Sequence, residues 1–282
     1  MRIPEIILHS VCFLYSRAEC GEKDVLGTGF FVKVPGKTPG TIPHAYLVTA
    51  KHLLFHPHDK EQRDPRQHVW ARFRNRSSGS TPRVEVTSRW YFGEDEEDVS
   101  VDIAVAPFSP PDRSTDFGVI GIGAFVTDEV ANDYRIGIGD ELSLCGLFSP
   151  RPGADTVLPI VRAGTIAAMP DEPVSGSRTG RRHRVYLAEL RSWGGLSGSP
   201  VFVQLGYDRG PDGAINDDGE GLLLGLVSGH FGQERESQDL PYVPDELNMG
   251  IAMVSRAQDI MAILDQEALV RERREREEKH AT

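Results

Sequence analysis

The sequence predicts an all-β fold built from antiparallel barrels. Short apolar or alternating runs recur along most of the 282 residues, and clusters of glycine, proline and aspartate separate them. This rhythm is typical of strands joined by turns. No long helical pattern stands between the runs, which argues against the alternating strands and helices of a parallel sheet. With 39% hydrophobic residues, a chain of this length can bury a substantial core.

The predicted strands follow in chain order, and each is a short run that is either continuously apolar or alternates apolar with polar residues. They are residues 6–15, 29–34, 45–49, 69–73, 84–86, 103–107, 141–147, 185–190, 200–204 and 222–227.

The end of the chain predicts a helix instead. From residue 256 to about 278, apolar side chains recur at roughly helical spacing, and a charged run at 271–280 follows them. We interpret this segment as a helix that docks on the second barrel and frays into a solvated tail. A helix that binds a partner protein is the alternative.

Composition argues against several classes of protein. Acidic residues outnumber basic ones by 42 to 31, giving a formal charge of -11, whereas binding to a phosphate backbone draws on clustered lysine and arginine. Nucleic acid is therefore not expected as a partner. No apolar run approaches the ~20 residues of a membrane-spanning helix, and no secretory signal pattern opens the chain. Three cysteines (Cys12, Cys20 and Cys145) do not form an even disulfide framework. We expect reduced, structural cysteines, no membrane and a cytoplasmic location.

The motif with most chemistry is Gly-Leu-Ser-Gly-Ser-Pro at 195–200, which places Ser197 between glycines. Alone it is only a turn. Its interpretation as a catalytic motif depends on two upstream residues. His52 follows one apolar run, and Asp102 lies within another. A serine hydroxyl is a weak nucleophile until a base takes its proton, and a neutral imidazole held by a carboxylate can be that base. Histidine, aspartate and serine stand here in the order of one known catalytic triad.

Four blocks carry a resemblance to a family, and they run in family order from near the start to roughly residue 255. They are residues 27–32, 47–52, 102–105 and 195–200. With these blocks the chain resembles the trypsin/chymotrypsin-like serine peptidases, and the lack of paired cysteines makes it similar to their bacterial members.

The resemblance implies two antiparallel six-stranded-type β-barrels with the active site in the cleft between them. The chain is divided accordingly into a first barrel half (1–115), a linker (116–135), a second half (136–255) and the C-terminal helix and tail (256–282). The Pro-rich, polar stretch after residue 109 favours this place for the linker.

The resemblance also implies an activity and its residues. The chain would be a serine endopeptidase acting on a protein or peptide substrate, with no cofactor. His52 would be the base and then the acid, Asp102 would orient it, and Ser197 would form the acyl-enzyme. The backbone N–H groups of Gly195 and Ser197 would form the oxyanion hole. Leu196 stands where secreted relatives carry an aspartate used in zymogen activation, so we expect the hole to form without proteolytic cleavage.

The substrate pocket is less well marked. By position, Arg191, Ser228 and His230 fall where the family builds it, with Ser228 at a serine that often supports the catalytic carboxylate. If Arg191 and His230 both point inward, the pocket is cationic and cleavage follows an acidic residue. Alternatively, Arg191 faces solvent and His230 only caps a loop.

Two further clusters are interpreted as ordinary surface. His44, His56 and His58 beside Asp59 lack the spacing of a recognisable metal site, so no metal is expected. The basic run 178–184 is interpreted as a solvated loop, the alternative being that it steers an acidic partner.

Two rivals to a constitutively active peptidase stay open. One is a catalytically latent or inactive peptidase fold that serves as a binding module and needs a partner protein. The other is a peptidase whose recognition is supplied by a regulatory partner, for which the C-terminal helix is a candidate docking element.

Overall fold

The structure is a computed structural model, and it describes residues 3–19, 21, 24–37, 43–56, 59, 65–95, 99–109, 115–151, 153, 156–175, 181–190, 195–206, 209, 221–234 and 246–281. The helices are α1 Glu5–His9, α2 Asp128–Asp133, α3 Ala257–Leu264 and α4 Glu267–Ala281. The strands are β1 Val11–Tyr15, β2 Val25–Val34, β3 His44–Thr49, β4 Trp70–Phe73, β5 Arg83–Glu85, β6 Tyr91–Phe92, β7 Ala104–Pro107, β8 Ile120–Gly121, β9 Glu141–Gly146, β10 Ile160–Ala168, β11 Val174–Ser175, β12 Arg182–His183, β13 Val185–Glu189, β14 Pro200–Gln204, β15 Leu222–Glu234 and β16 Glu246–Arg256. Two 3₁₀ turns lie at Lys51–Leu54 and Ile122–Ala124.

The first half is a curled sheet with the strand order β5-β4-β1-β2-β3-β7-β6, and β8 pairs in parallel with β2. Both faces of this sheet are covered. Successive residues of β1 and β2 point to opposite faces, and those on each face pack in a different buried hydrophobic cluster. On one face four phenylalanine rings pack with centroids 4.6–5.7 Å apart; they are Phe31, Phe73, Phe108 and Phe117. Such tilted and edge-on contacts are favourable aromatic geometries.

The second half is a closed barrel of six antiparallel strands in the order β10-β13-β16-β15-β14-β9. Its interior is aliphatic, as expected where alternate residues of each strand point inward. Leu142, Leu144, Val201, Leu224 and Val254 are among its fully buried members.

The two halves share one hydrophobic cluster. Phe13, Phe30 and Val48 of the first sheet belong to the same buried cluster as Leu147 and Phe202 of the second half. The cleft between the halves therefore lies over a continuous core.

The two-barrel, all-β architecture predicted from the sequence is confirmed, with one difference. The second barrel closes, whereas the first sheet is open over the described residues. The predicted linker, 116–135, contains β8 and α2. The division of the chain at that linker stays a prediction.

The predicted strand at 6–15 was wrong in part, because residues 6–9 lie in α1, where only Ile7 is buried. Six strands had no predicted counterpart; they are β6, β8, β10, β11, β12 and β16. The predicted helical end of the chain is confirmed and consists of two helices, α3 and α4.

The prediction that the C-terminal helix frays into a solvated tail was also wrong. Helix α4 continues to Ala281 and packs on the first sheet. Leu269 is fully buried, and Arg273, 8% exposed, donates to Tyr46 Oη at 3.0 Å and to Leu264 O at 2.8 Å. Near the end of the helix, Glu277 Oε1 lies 2.9 Å from His44 Nε2.

None of the helices among the described residues is both long and apolar enough to cross a membrane.

Candidate active site

Strand pairing brings His52 and Asp102 together. Strands β3 and β7 are antiparallel, with Thr49 opposite Ala104. His52 follows the end of β3 within a 3₁₀ turn, and Asp102 precedes the start of β7. In an antiparallel pair, the end of one strand lies beside the start of the other, so both residues lie at the same end of the first sheet.

The Asp102 carboxylate uses both oxygens on His52. Its Oδ1 accepts from the His52 backbone N–H at 2.8 Å, and its Oδ2 lies 2.7 Å from His52 Nδ1. An ionised carboxylate only accepts, so Nδ1 carries the proton and Nε2 of the neutral ring presents a lone pair. The Asp102 side chain is 10% exposed and the His52 side chain 22%, so the imidazole keeps access to solvent while the carboxylate is buried.

Ser197 lies in a tight turn between two glycines with left-handed backbone. Gly195 has φ +97° and Gly198 has φ +82°, a region that residues with a Cβ rarely adopt. At Gly198 a Cβ would also lie 2.0 Å from Thr28 O. The glycines flanking Ser197 are therefore required by conformation at both positions and by close packing at Gly198.

Three successive peptide units of this turn are fixed by hydrogen bonds. Gly195 O accepts from Thr28 Oγ1 at 2.8 Å, and Leu196 O accepts from Ser199 N at 3.0 Å. Ser197 O accepts from Thr28 N at 2.9 Å, while the Gly198 N–H on the same peptide donates to Val227 O at 2.7 Å. The turn is held from β2 on one side and from β15 on the other.

The Ser197 turn and the His52 turn approach each other across one glycine. A Cβ at Gly27 would lie 2.9 Å from Ser197 O and 2.6 Å from a Leu53 methyl group. Leu53 directly follows His52, so β2 separates the two turns only by the backbone of Gly27. The structure thus places His52 and Ser197 on adjoining turns, with Asp102 hydrogen-bonded to His52.

The backbone amides predicted for the oxyanion hole have no main-chain partner among the residues that the structure describes. Within the described part of the chain, neither the Gly195 N–H nor the Ser197 N–H donates to a main-chain carbonyl. Fixed N–H groups of this kind stabilise a developing oxyanion without reorganising.

Leu196 anchors the turn to the second barrel. It is 1% exposed and packs in that barrel's aliphatic interior. An apolar anchor needs no ionised partner, which agrees with the expectation that the turn forms without an activating cleavage.

The predicted pocket residues divide into three cases. Arg191 lies outside the described residues. His230 lies on β15, half-buried and opposite Ala252. Ser228 is buried, and its hydroxyl donates to Met253 O at 3.3 Å; this differs from the support of a catalytic carboxylate that the resemblance implies.

The histidines weighed as metal ligands have other partners. His44 pairs with Glu277, and His56 Nδ1 lies 3.4 Å from Arg66 Nη1; His58 lies outside the described residues. Over those residues, no group of three or more histidine, cysteine, aspartate or glutamate side chains is placed to hold a metal.

The basic run 178–184 is described from residue 181 onward, and there it is part of the structure between the halves. Arg181 Nη1 lies 3.1 Å from Asp95 Oδ2, and buried His183 Nδ1 lies 2.9 Å from Ser100 O. Asp95 Oδ1 also accepts from Val101 N at 3.1 Å. These contacts tie the segment before Asp102 to the second half, so a simple solvated loop is the wrong interpretation for residues 181–183.

Two supporting residues were missed by the sequence analysis. Thr28 lies in one of the blocks that carry the resemblance, yet its hydrogen bonds to the Ser197 turn join residues 167 apart in the chain. Asp95 stands among several acidic residues and has no local pattern that sets it apart. Only the folded chain identifies either residue.

Comparisons with known proteins give structural likeness alone. No protein-family pattern matches the chain, and no curated protein matches it in sequence. Three solved structures each align with a TM-score of 0.51. The apo protease domain of MamO from Magnetospirillum magneticum is 14% identical, over 91% of this chain and 96% of its own. The VesB protease of Vibrio cholerae is 12% identical, over 95% of this chain and 66% of its own. Human heparin binding protein is 10% identical, over 94% and 96%. With its closed second barrel and curled first sheet, the chain has the two-barrel fold of the trypsin/chymotrypsin-like serine proteases.

Proposed function

We propose that the protein is a serine endopeptidase that hydrolyses peptide bonds through an acyl-enzyme on Ser197. The observation that carries this proposal is the hydrogen bond of 2.7 Å between His52 Nδ1 and Asp102 Oδ2, on a turn that adjoins the Ser197 turn across Gly27. A carboxylate that fixes the tautomer of an imidazole, on a turn next to that of a serine, is what general-base catalysis requires.

The reaction follows from this arrangement. His52 Nε2 takes the proton of Ser197 Oγ while Oγ bonds to the substrate carbonyl carbon, and the carbonyl oxygen becomes an oxyanion bound by the Gly195 and Ser197 N–H groups. The imidazolium then gives its proton to the leaving amine, and the C–N bond breaks. Water, deprotonated by His52, then attacks the acyl ester, and the imidazolium returns this proton to Ser197 Oγ as the ester bond breaks and the carboxylic acid leaves. Asp102 stabilises the imidazolium at both stages without itself being protonated.

The substrate class, the lack of a cofactor and the cellular location are part of the same proposal. The substrate is a protein or peptide, no cofactor takes part, and the activity is cytoplasmic. Selection of an acidic residue before the cleaved bond stays a hypothesis that depends on where Arg191 and His230 point. Cleavage of a peptide library would decide it, since a preference for basic or large apolar residues contradicts a cationic pocket.

The experiment that tests the activity is reaction of the purified protein with a fluorophosphonate, read by intact mass. We expect one adduct on the wild type, mapped to Ser197, and none on Ser197→Ala. His52→Ala should fold, as judged by circular dichroism, and label far more slowly, because its serine has no base.

Cleavage of labelled casein by wild type and not by Ser197→Ala then separates a peptidase from an esterase. A folded wild-type protein that neither labels nor cleaves would contradict the proposal and favour the inactive binding module that needs a partner.

A further inference from the structure

We propose that Thr28 is a positioning residue that holds the Ser197 turn in its reactive shape. This inference rests on the proposed function for its kinetic part and on the hydrogen bonds of the turn for its structural part. Thr28 lies on β2, in the first half, while the turn belongs to the second half.

Thr28 hydrogen-bonds both residues whose amides would bind the oxyanion. Its Oγ1 donates to Gly195 O at 2.8 Å, and its backbone N–H donates to Ser197 O at 2.9 Å. Each of these residues is thus anchored through its own carbonyl to one residue of β2. Thr28 therefore fixes the peptide units on both sides of the one that carries the Ser197 N–H.

The hydroxyl also has a second partner. Leu147 N donates to Thr28 Oγ1 at 3.0 Å. The hydroxyl thus accepts a bond from the residue after β9 and donates one to the Ser197 turn, and it joins the two segments. Thr28 is fully buried, so bulk solvent does not reach its hydroxyl. A hydroxyl can make both bonds because it donates one and accepts the other.

Thr28 is linked to the His52 turn as well. Its carbonyl oxygen accepts from Thr49 Oγ1 at 2.7 Å, and Thr49 lies three residues before His52. A displacement of β2 would consequently move the nucleophile turn relative to the base.

The side chain can be tested separately from the backbone contacts. Thr28→Val keeps the volume and removes the hydroxyl, so Gly195 O and Leu147 N lose their shared partner. Gly195, with its left-handed φ, then has other conformations open to it. Thr28→Ser keeps the hydroxyl. Misplacement of donors and nucleophile by a fraction of an ångström to one ångström is costly for catalysis and less so for substrate binding.

The experiment measures fluorophosphonate labelling, peptide cleavage and amide hydrogen exchange on wild type, Thr28→Val and Thr28→Ser. We expect Thr28→Val to lower the labelling rate and kcat roughly ten- to a hundredfold with KM little changed. Exchange in peptides covering residues 195–204 should rise. Thr28→Ser should restore most of the rate and the protection.

Ser143→Ala is the matched control, because Ser143 is a buried hydroxyl of the second barrel whose partner is Gln204 Nε2 at 2.8 Å. It should lower the thermal midpoint without slowing labelling. If Thr28→Val does not fold, Thr28→Ala serves as the hydroxyl-free variant.

Several outcomes would overturn the inference. They are a folded Thr28→Val protein that labels at the wild-type rate with unchanged exchange over 195–204, a Thr28→Ser protein as slow as Thr28→Val, or a Ser143→Ala protein slowed as much. If wild type itself does not label, the proposed function fails, and increased exchange over 195–204 in Thr28→Val alone still supports the positioning role.

Discussion

At the residue scale, Asp102 acts on His52 in two ways with one carboxylate. The bond to the backbone N–H fixes where the 3₁₀ turn lies, and the bond to Nδ1 fixes the tautomer of the ring. Asparagine at this position keeps the shape of the side chain and loses its charge, so it separates the effect on the turn from the effect on the tautomer.

We expect Asp102→Asn to fold and to label with fluorophosphonate about 10³- to 10⁴-fold more slowly than wild type. An asparagine oxygen can still accept from the backbone N–H, but its NH₂ group would donate to Nδ1 and leave the proton on Nε2. The measurement is a labelling time course with the thermal midpoint beside it. Asp140→Asn is the control, since Asp140 pairs with Arg209 away from the site. A wild-type rate for Asp102→Asn would remove Asp102 from the mechanism.

The two described cysteines are expected to be inert. Burial raises the pKa of the Cys145 thiol to about 12 and raises that of Cys12 further, and the thiolate is the reactive form. Iodoacetamide at pH 8 should modify neither residue in the folded protein and both in denaturant, as read by peptide mass mapping. Rapid alkylation of either in the folded state would show that its part of the core opens.

Sequence motifs identified the proposed catalytic residues but not the residues that hold them in position. His52, Asp102 and Ser197 each stand in a short local pattern. Thr28 has no such pattern for its role, because what sets it apart is a pair of hydrogen bonds to residues more than a hundred positions away.

At the scale of elements, strands with a clear apolar run could be predicted and weakly patterned ones could not. Only Ile166 is buried among the nine residues of β10, and Arg162 and Gly164 interrupt the alternation between Ile160 and Ile166, so the strand has no regular apolar pattern. Strand β16 includes Gly250 at φ +83°, and its pairing with β15 contains irregularities that break the period of two. For residues 6–9 the run was apolar but too short to distinguish helix from strand.

We expect the contact between helix α4 and His44 to stabilise the folded protein less at low pH than at neutral pH. The hydrogen bond from His44 is the main cause that lowers the pKa of Glu277, followed by the Lys37 backbone N–H. A carboxyl whose pKa is lowered by folding stabilises the folded state above its ordinary value of 4.5 and loses that contribution as pH falls through the lowered pKa. Glu277→Gln should thus melt below wild type at pH 7, and the difference should shrink below about pH 4.5.

The measurement is the thermal midpoint of both proteins between pH 3 and pH 7. Glu275→Gln, on the exposed side of the same helix, controls for the loss of a charge. A difference between Glu277→Gln and wild type that stays constant over this range would contradict the proposed pairing.

At the scale of the whole molecule, the resemblance predicted two barrels, and the structure joins the two halves through one buried hydrophobic cluster. The shared cluster contains Phe30 of the first sheet and Phe202 of the second barrel, both buried. That the first sheet is open over the described residues had no signal in the sequence, because strand count and closure depend on pairings between distant segments.

We expect a single unfolding transition. Phe202→Ala should lower the free energy of unfolding by about 3–5 kcal/mol, as large truncations in a packed core do. Amide exchange in β2 and in β9 should rise together, because one cluster supports both. Calorimetry with hydrogen exchange measures this. Two separate transitions, or loss of protection in β9 alone, would show that the halves unfold independently.

The docking of α4 has a consequence during synthesis. Glu277 and its partner His44 are 233 residues apart, so the strand that leads to His52 leaves the ribosome long before the helix that covers it. Until the last turns emerge, Tyr46 lacks its Arg273 partner and part of the first sheet's surface is uncovered. The nascent chain therefore forms the strand that leads to His52 before the helix that covers it exists, and the first sheet gains this cover only when α4 has been made.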